Sequence, residues 1–174
     1  MGVEWIYKNK ALVLDIKEVD QVPVLQYPLL RGSGIVNHGI STRLGGVSEG
    51  IFSSMNLGFS RGDERERVLE NYRRIAKTIG VSVDKMVAAS QTHTTNVRVV
   101  DRSDAGKGIL RPSDYSDVDG LITNVPGMCL VTYYADCVPL YFVDPVNKAV
   151  GLAHSGWKGT VLRIGEKTIA RMRD

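Results

Sequence analysis

The strongest constraint on this fold is a contrast in period along the chain. From Asp63 to Gly80, the apolar residues Val68, Tyr72, Ile75, Ala76 and Ile79 recur at helical spacing and form one stripe. Asp63 with Glu66 three residues on resembles a capping box, and Gly80 supplies a C-terminal stop. Glu64 and Glu66 sit early and Arg73, Arg74 and Lys77 late, which suits the helix dipole and reads as a solvated face. Most of the remaining chain reads as short strands. Candidates are ALVLDI from Ala11, GIVNHGIST from Gly34, MVAAS from Met86, NVRVVD from Asn96, GLITNV from Gly120 and AVGLAH from Ala149. Cys129 to Val143 is rich in β-branched and aromatic residues, although Pro139 argues against one smooth central strand. The pattern is thus strand-heavy, with a clear helix set among the strands.

Two loops interrupt this pattern. STRLGGVSEGIFSSMNLG, from Ser41, is too long for a hairpin turn, and long loops of this kind are often functional. A second polar loop, DRSDAGKGILRPSDYSD, begins at Asp101. The final segment, TVLRIGEKTIARMRD, reads as a helix with Val161, Ile164, Thr168 and Met172 near one face. It stops at Asp174 without a Gly cap or a following Pro, so the expectation is a single domain over residues 1–174 that lacks its C-terminal portion.

Composition excludes several classes. The 174 residues are 43% apolar and 24% charged, enough for one domain with a core. A net charge of +3, evenly spread, does not argue for a nucleic-acid surface. There is no run of 18 apolar residues, so no membrane helix is expected. The N-terminus carries Glu4 and no continuous apolar core of a signal peptide, so a cytoplasmic location is expected. Two cysteines, Cys129 and Cys137, share one apolar stretch. In an unbroken strand their Cα atoms would lie about 26 Å apart, at roughly 3.3 Å per residue, too far for a disulfide.

Three histidines and two cysteines also limit the chemistry. His93 follows the strand MVAAS, Cys137 lies in YYADCVPL, and His154 ends AVGLAH before a Gly-rich turn. Two imidazoles and a thiolate suit zinc, and three protein ligands leave a fourth position open. The spacings, 44 residues and then 17, do not enforce proximity. A buried Cys137 with hydrogen-bonded histidines, or a metal-free Cys–His nucleophilic pair, therefore stays open at this point. Asp136 serves such a site only if the backbone bends beside it, because strand neighbours face opposite ways. Arg43, in the first loop, offers a planar fork for phosphate or an anchor for the loop itself. His38 reads as a strand-end residue, and Ser155 lacks a G-x-S-x-G elbow.

Taken together, the strings HGISTRLGGVSEG, SQTHTTNV, DGLITN, YYADCVPLYFVDP and GLAHSGWKGT resemble the YfiH-type, or laccase-domain, family, from about Gly34 onward. The resemblance implies a mixed α/β (α+β) fold of layered mixed β-sheets flanked by helices, with zinc bound by His93, Cys137 and His154. Copper is an alternative metal in vitro. Cys137, Asp136 and Arg43 are the implied catalytic residues, with Arg43 on substrate or phosphate. The implied activity is purine nucleoside phosphorolysis of adenosine, inosine and methylthioadenosine, with adenosine deamination by metal-activated water. The implied partners are thus a purine nucleoside and phosphate, with no nucleic acid or membrane. The alternatives are a Cys-dependent amidase or editing factor for peptidoglycan precursors, and weak copper-dependent polyphenol oxidation. Three histidines are too few for both a blue-copper centre and an oxygen-reducing cluster. Family members are longer and continue into a G-P-x-I-G-x-x-C string that this chain lacks.

Overall fold

The computed structural model describes residues 13–174, so Ala11 and Leu12 of the first expected strand and the N-terminal residues before them lie outside it. The chain divides into two compact units, one ending at Gly80 and one spanning Val81–Asp174. Both combine sheet with helix. No helix among the described residues is long and apolar enough to cross a membrane.

In the first unit, β1 (Asp15–Val19) and β2 (Val22–Gln26) form an antiparallel hairpin. A short helix α1 (Pro28–Gly32) follows, and then β3 (Ile40–Ser41) pairs with β2. GIVNHGIST is thus mostly irregular, and only Ile40 and Ser41 join the sheet. β2 was not anticipated, because VPVLQ is short and carries Pro23. The β2–β3 ladder begins at Val24, beyond the proline, so the missing N–H breaks no bond to β3. Helix α2 (Arg65–Ile79) has the expected extent, and all five stripe residues are buried. Gly80 closes it in the left-handed region at φ +87°, with its N–H donating to Ala76 O. The expected capping box does not form. The Asp63 carboxylate instead accepts from Ser48 Oγ, Asn56 Nδ2 and its neighbour Glu64 N.

The second unit opens with β4 (Met86–Ala88) and β5 (Val97–Val99), continues with β6 (Gly120–Thr123), β7 (Cys129–Val131) and β8 (Val138–Asp144), and reaches β9 (Ala149–Ser155). β4 and β7 pair in parallel. The larger sheet has the order β5-β6-β9-β8, parallel at its first pair and antiparallel thereafter. Val87, Ala89, Val100, Val118 and Leu121 form a buried core cluster. Cys129 to Val143 is therefore two strands in two sheets, separated by residues 132–137. Pro139 itself lies within β8, at an edge of the larger sheet, where a proline is tolerated.

The terminal helix is also split, into α3 (Trp157–Val161) and α4 (Ile164–Arg173), with Arg163 between them at φ +60°. Ile164 and Thr168 are fully buried, but Val161 is 71% exposed because it falls on the near side of the break. The Asp101 loop is pinned by Asp104, only 2% exposed, which accepts from both Lys107 Nζ and Arg98 Nη2.

Candidate metal centre

Strand register explains how three distant residues meet in the second unit. Antiparallel β8 and β9 place Val138 opposite Ser155 and Pro139 opposite His154. Cys137, one step before β8, is thus carried to the end of β9 that bears His154. β6 lies on the other side of β9, with Gly120 opposite Ala153, and so brings Asp119 to His154. His93 reaches the same point from the loop after β4, with its backbone in the left-handed region at φ +63°.

The donor atoms of His93, Cys137 and His154 all lie within 4.8 Å of one another. Cys137 Sγ is 3.8 Å from His93 Nε2, and the two imidazoles meet edge to face with centroids 4.8 Å apart. Zinc bonds of about 2.0–2.3 Å in a tetrahedron require ligand atoms roughly 3.3–3.7 Å apart, so the group is within about an ångström of that span. Two imidazole nitrogens and one sulfur are a donor set that suits zinc or copper. His154 is buried, Cys137 half-buried and His93 exposed, so the centre has one open side.

Asp119 organises this centre, and it was not singled out from the sequence. It is fully buried. Its Oδ1 lies 2.7 Å from His154 Nδ1, which leaves His154 Nε2 for a metal. The same carboxylate accepts from the backbone N–H groups of Thr92, His93 and Thr94, at 2.9, 3.1 and 3.0 Å. His154 N–H donates to Asp119 O at 2.7 Å. One residue therefore orients one imidazole ligand and fixes the turn that carries the other. Burial opposes its charge, but the N–H donors of Thr92, Thr94 and His93 and the His154 ring outweigh it and hold the carboxyl below the usual range. The signal available was the Asp-Gly step that opens GLITN, together with the tendency of metal-bound histidines to donate to a carboxylate.

Other side chains lock the two loops. The Gln91 amide donates to Tyr133 O at 2.8 Å and accepts from Tyr133 N at 2.7 Å, joining the His93 loop to residues 132–137. Tyr134 lies against the His154 ring, with centroids 5.5 Å apart. Asp117 accepts from Thr92 Oγ1 and from Asn96 Nδ2.

The remaining expected site residues fall as follows. Asp136 is exposed in the bend before β8, and its Oδ1 lies 3.7 Å from Cys137 Sγ. The bend needed to bring Asp136 to the thiol is thus present. Burial, and then the Asp136 charge, push the Cys137 thiol up. Cys129, by contrast, is raised to about 11 by burial alone, and neither cysteine is in a disulfide. Arg43 belongs to the first unit, where its Nε and Nη2 donate to Ser53 O and Ile51 O across its loop. His38, also in the first unit, accepts from Tyr27 N through Nε2 at 2.7 Å.

The chain and its fold are similar to known proteins. The chain is 41% identical over 126 residues to "Purine nucleoside phosphorylase YlmD" of Geobacillus stearothermophilus, covering 70% of this chain and 45% of that protein. It is 39% identical over 146 residues to a purine nucleoside phosphorylase of Deinococcus radiodurans, covering 83% and 53%. The chain spans about half the length of these curated relatives. Among solved structures, YfiH of Bacillus licheniformis superposes with a TM-score of 0.74 at 34% identity, covering 84% of this chain and 54% of that one. YlmD of Geobacillus stearothermophilus superposes with a TM-score of 0.70 at 35% identity, covering 85% and 54%. Residues 37–174 match the model of a family described as multi-copper polyphenol oxidoreductase laccase, and with its mixed α/β fold and His–Cys–His group the chain belongs to that family.

Proposed function

We propose that His93, Cys137 and His154 bind zinc, and that this centre serves phosphorolysis of the purine nucleosides adenosine, inosine and methylthioadenosine, together with deamination of adenosine. The observation that carries this reading is the convergence of the three donors with Asp119 on His154, in a chain whose relatives are named purine nucleoside phosphorylases. A zinc ion bound there supplies a Lewis acid and lowers the pKa of water.

The chain's own residues have distinct parts in this reading. Asp119 keeps the His154 Nδ1 proton facing the carboxylate, so that Nε2 stays a lone-pair donor. The Asp136 carboxylate, 3.7 Å from Cys137 Sγ and open to solvent, receives the thiol proton and carries protons to or from the purine. Phosphate attack at ribose C1′ needs an oriented anion; the family resemblance alone assigns that task to Arg43, whose Nε and Nη2 here hold Ser53 O and Ile51 O of its own loop.

The Cys137–His93 separation of 3.8 Å also suits a nucleophile and base, as in an amidase acting on cell-wall precursors. The direction of the thiol pKa weighs against it, because burial and Asp136 raise Cys137 where an activated nucleophile is lowered. The test is incubation of metal-quantified protein with adenosine and inosine, with and without phosphate, followed by chromatography. Free base that appears only with phosphate, and inosine formed from adenosine, are expected. Cys137→Ala should abolish bound zinc and both activities. Turnover at full rate in that variant overturns the assignment, and activity that survives chelation but not thiol alkylation favours the amidase.

A further inference from the structure

Gly156, which follows His154 by two residues, has φ −75° and ψ 175°, a conformation open to any residue. It precedes helix α3 at the cap position, where Ser, Asn or Asp would satisfy the helix at least as well. Neither backbone conformation nor capping therefore calls for a glycine. Space does. A Cβ built on Gly156 would lie 3.0 Å from Cys137 Sγ and 2.9 Å from His93 Cδ2, with His93 Nε2 at 3.7 Å. These contacts follow from the register, since the β8–β9 ladder runs through Val138 and Ser155 and its next step sets Cys137 across from Gly156.

We infer that Gly156 is a positioning residue of the metal centre: its missing side chain is the notch into which the Cys137 thiol and the His93 ring close. This rests on the proposed reading of His93, Cys137 and His154 as ligands. The three nearest atoms that a methyl group there would meet all belong to those two side chains. Cys137 is attached at the mouth of β8 and His93 to a turn whose three N–H groups are held by Asp119, so the added atom is relieved by rotating the thiol or the ring. Either rotation moves a donor atom away from the common point. Neither rotation breaks a bond of the β6–β9–β8 ladders, which pair backbone groups.

The test is titration of metal-free Gly156→Ala and Gly156→Ser with zinc against a chromogenic chelator, and with cobalt(II) as a spectroscopic reporter. Both variants should bind zinc at least about tenfold more weakly than the parent, the scale seen when the surroundings of metal ligands are disturbed. The cobalt(II) complex should lose intensity in its sulfur-to-metal absorption. The melting temperature of the metal-free variants should equal the parent's. Equal zinc affinity with an unchanged cobalt spectrum overturns the inference. So does a metal-free variant that melts well below the parent, because the glycine would then serve the fold. If the parent itself binds neither zinc nor cobalt, the reading of the ligands fails, and the role of Gly156 fails with it. A parent that binds, beside variants that bind equally well, removes only Gly156.

Discussion

Two fully buried polar side chains organise loops in this chain, Asn71 in the first unit and Asp119 in the second. Asn71 Nδ2 donates to Ser48 Oγ, Ser54 O and Asn56 O, and its Oδ1 accepts from Val47 N. A neutral amide there satisfies a glycine- and serine-rich loop and leaves nothing to react. Asp119 meets the same need with a charge. It accepts three backbone N–H groups, and its remaining partner is an imidazole whose other nitrogen points at a sulfur and a second imidazole. An amide completes a loop, whereas a carboxylate in the equivalent place also sets the tautomer of a ligand. Buried hydrogen bonding alone therefore does not mark a functional site, and what the bonded partner presents on its far side does.

The largest effect that would break this contrast is Asp119→Ala. It strips an acceptor from three N–H groups and one imidazole, and should destabilise the metal-free protein by about 3–5 kcal/mol while weakening zinc binding by at least tenfold. Denaturant unfolding and zinc competition check the two halves, and full zinc affinity in a destabilised variant would reduce Asp119 to a second Asn71. Asn71→Ala should cost about 2–3 kcal/mol in the same unfolding experiment and leave zinc affinity unchanged. Acid sharpens the comparison by testing a third buried group. Burial raises the Asp104 carboxyl, but Lys107 and Arg98 outweigh it and hold it down at about 2. A depressed carboxyl contributes stability above its unfolded pKa near 4 and loses it as pH falls towards 2, so about 2 kcal/mol should disappear across that window. Unfolding midpoints measured between pH 5 and pH 2 should fall less steeply in Asp104→Asn than in the parent, the difference being the Asp104 share. Gln91→Ala should have the smallest effect, about 1 kcal/mol in stability with a several-fold loss of zinc affinity, because Tyr133 N and O can turn to water.

What could be read from the chain follows from how locally each feature is encoded. Helix α2 was legible because its stripe and its glycine stop are contained in one stretch. The three donors were legible as scarce residues at strand ends, and in the resemblance of their flanking strings. Their convergence was implied by that resemblance alone and not by the residues' spacing, because it depends on the β8–β9 and β6–β9 registers, which pair segments far apart in sequence. Asp119 was hidden for a related reason. In DYSDVDG it is one of three aspartates with the look of a solvated loop, and only the strand pairing buries it completely. The break at Arg163 was missed because the apolar spacing continues across it, and Val161 was assigned to a face it never reaches.

The left-handed backbone of His93 sets durability against metal capture at a single residue. An L side chain held there costs on the order of 1 kcal/mol that glycine would recover, so at this position a substitution that favours the empty polypeptide deletes a ligand. Selection for heat resistance in metal-free medium would therefore drift towards a sturdier protein with a vacant, two-donor remnant.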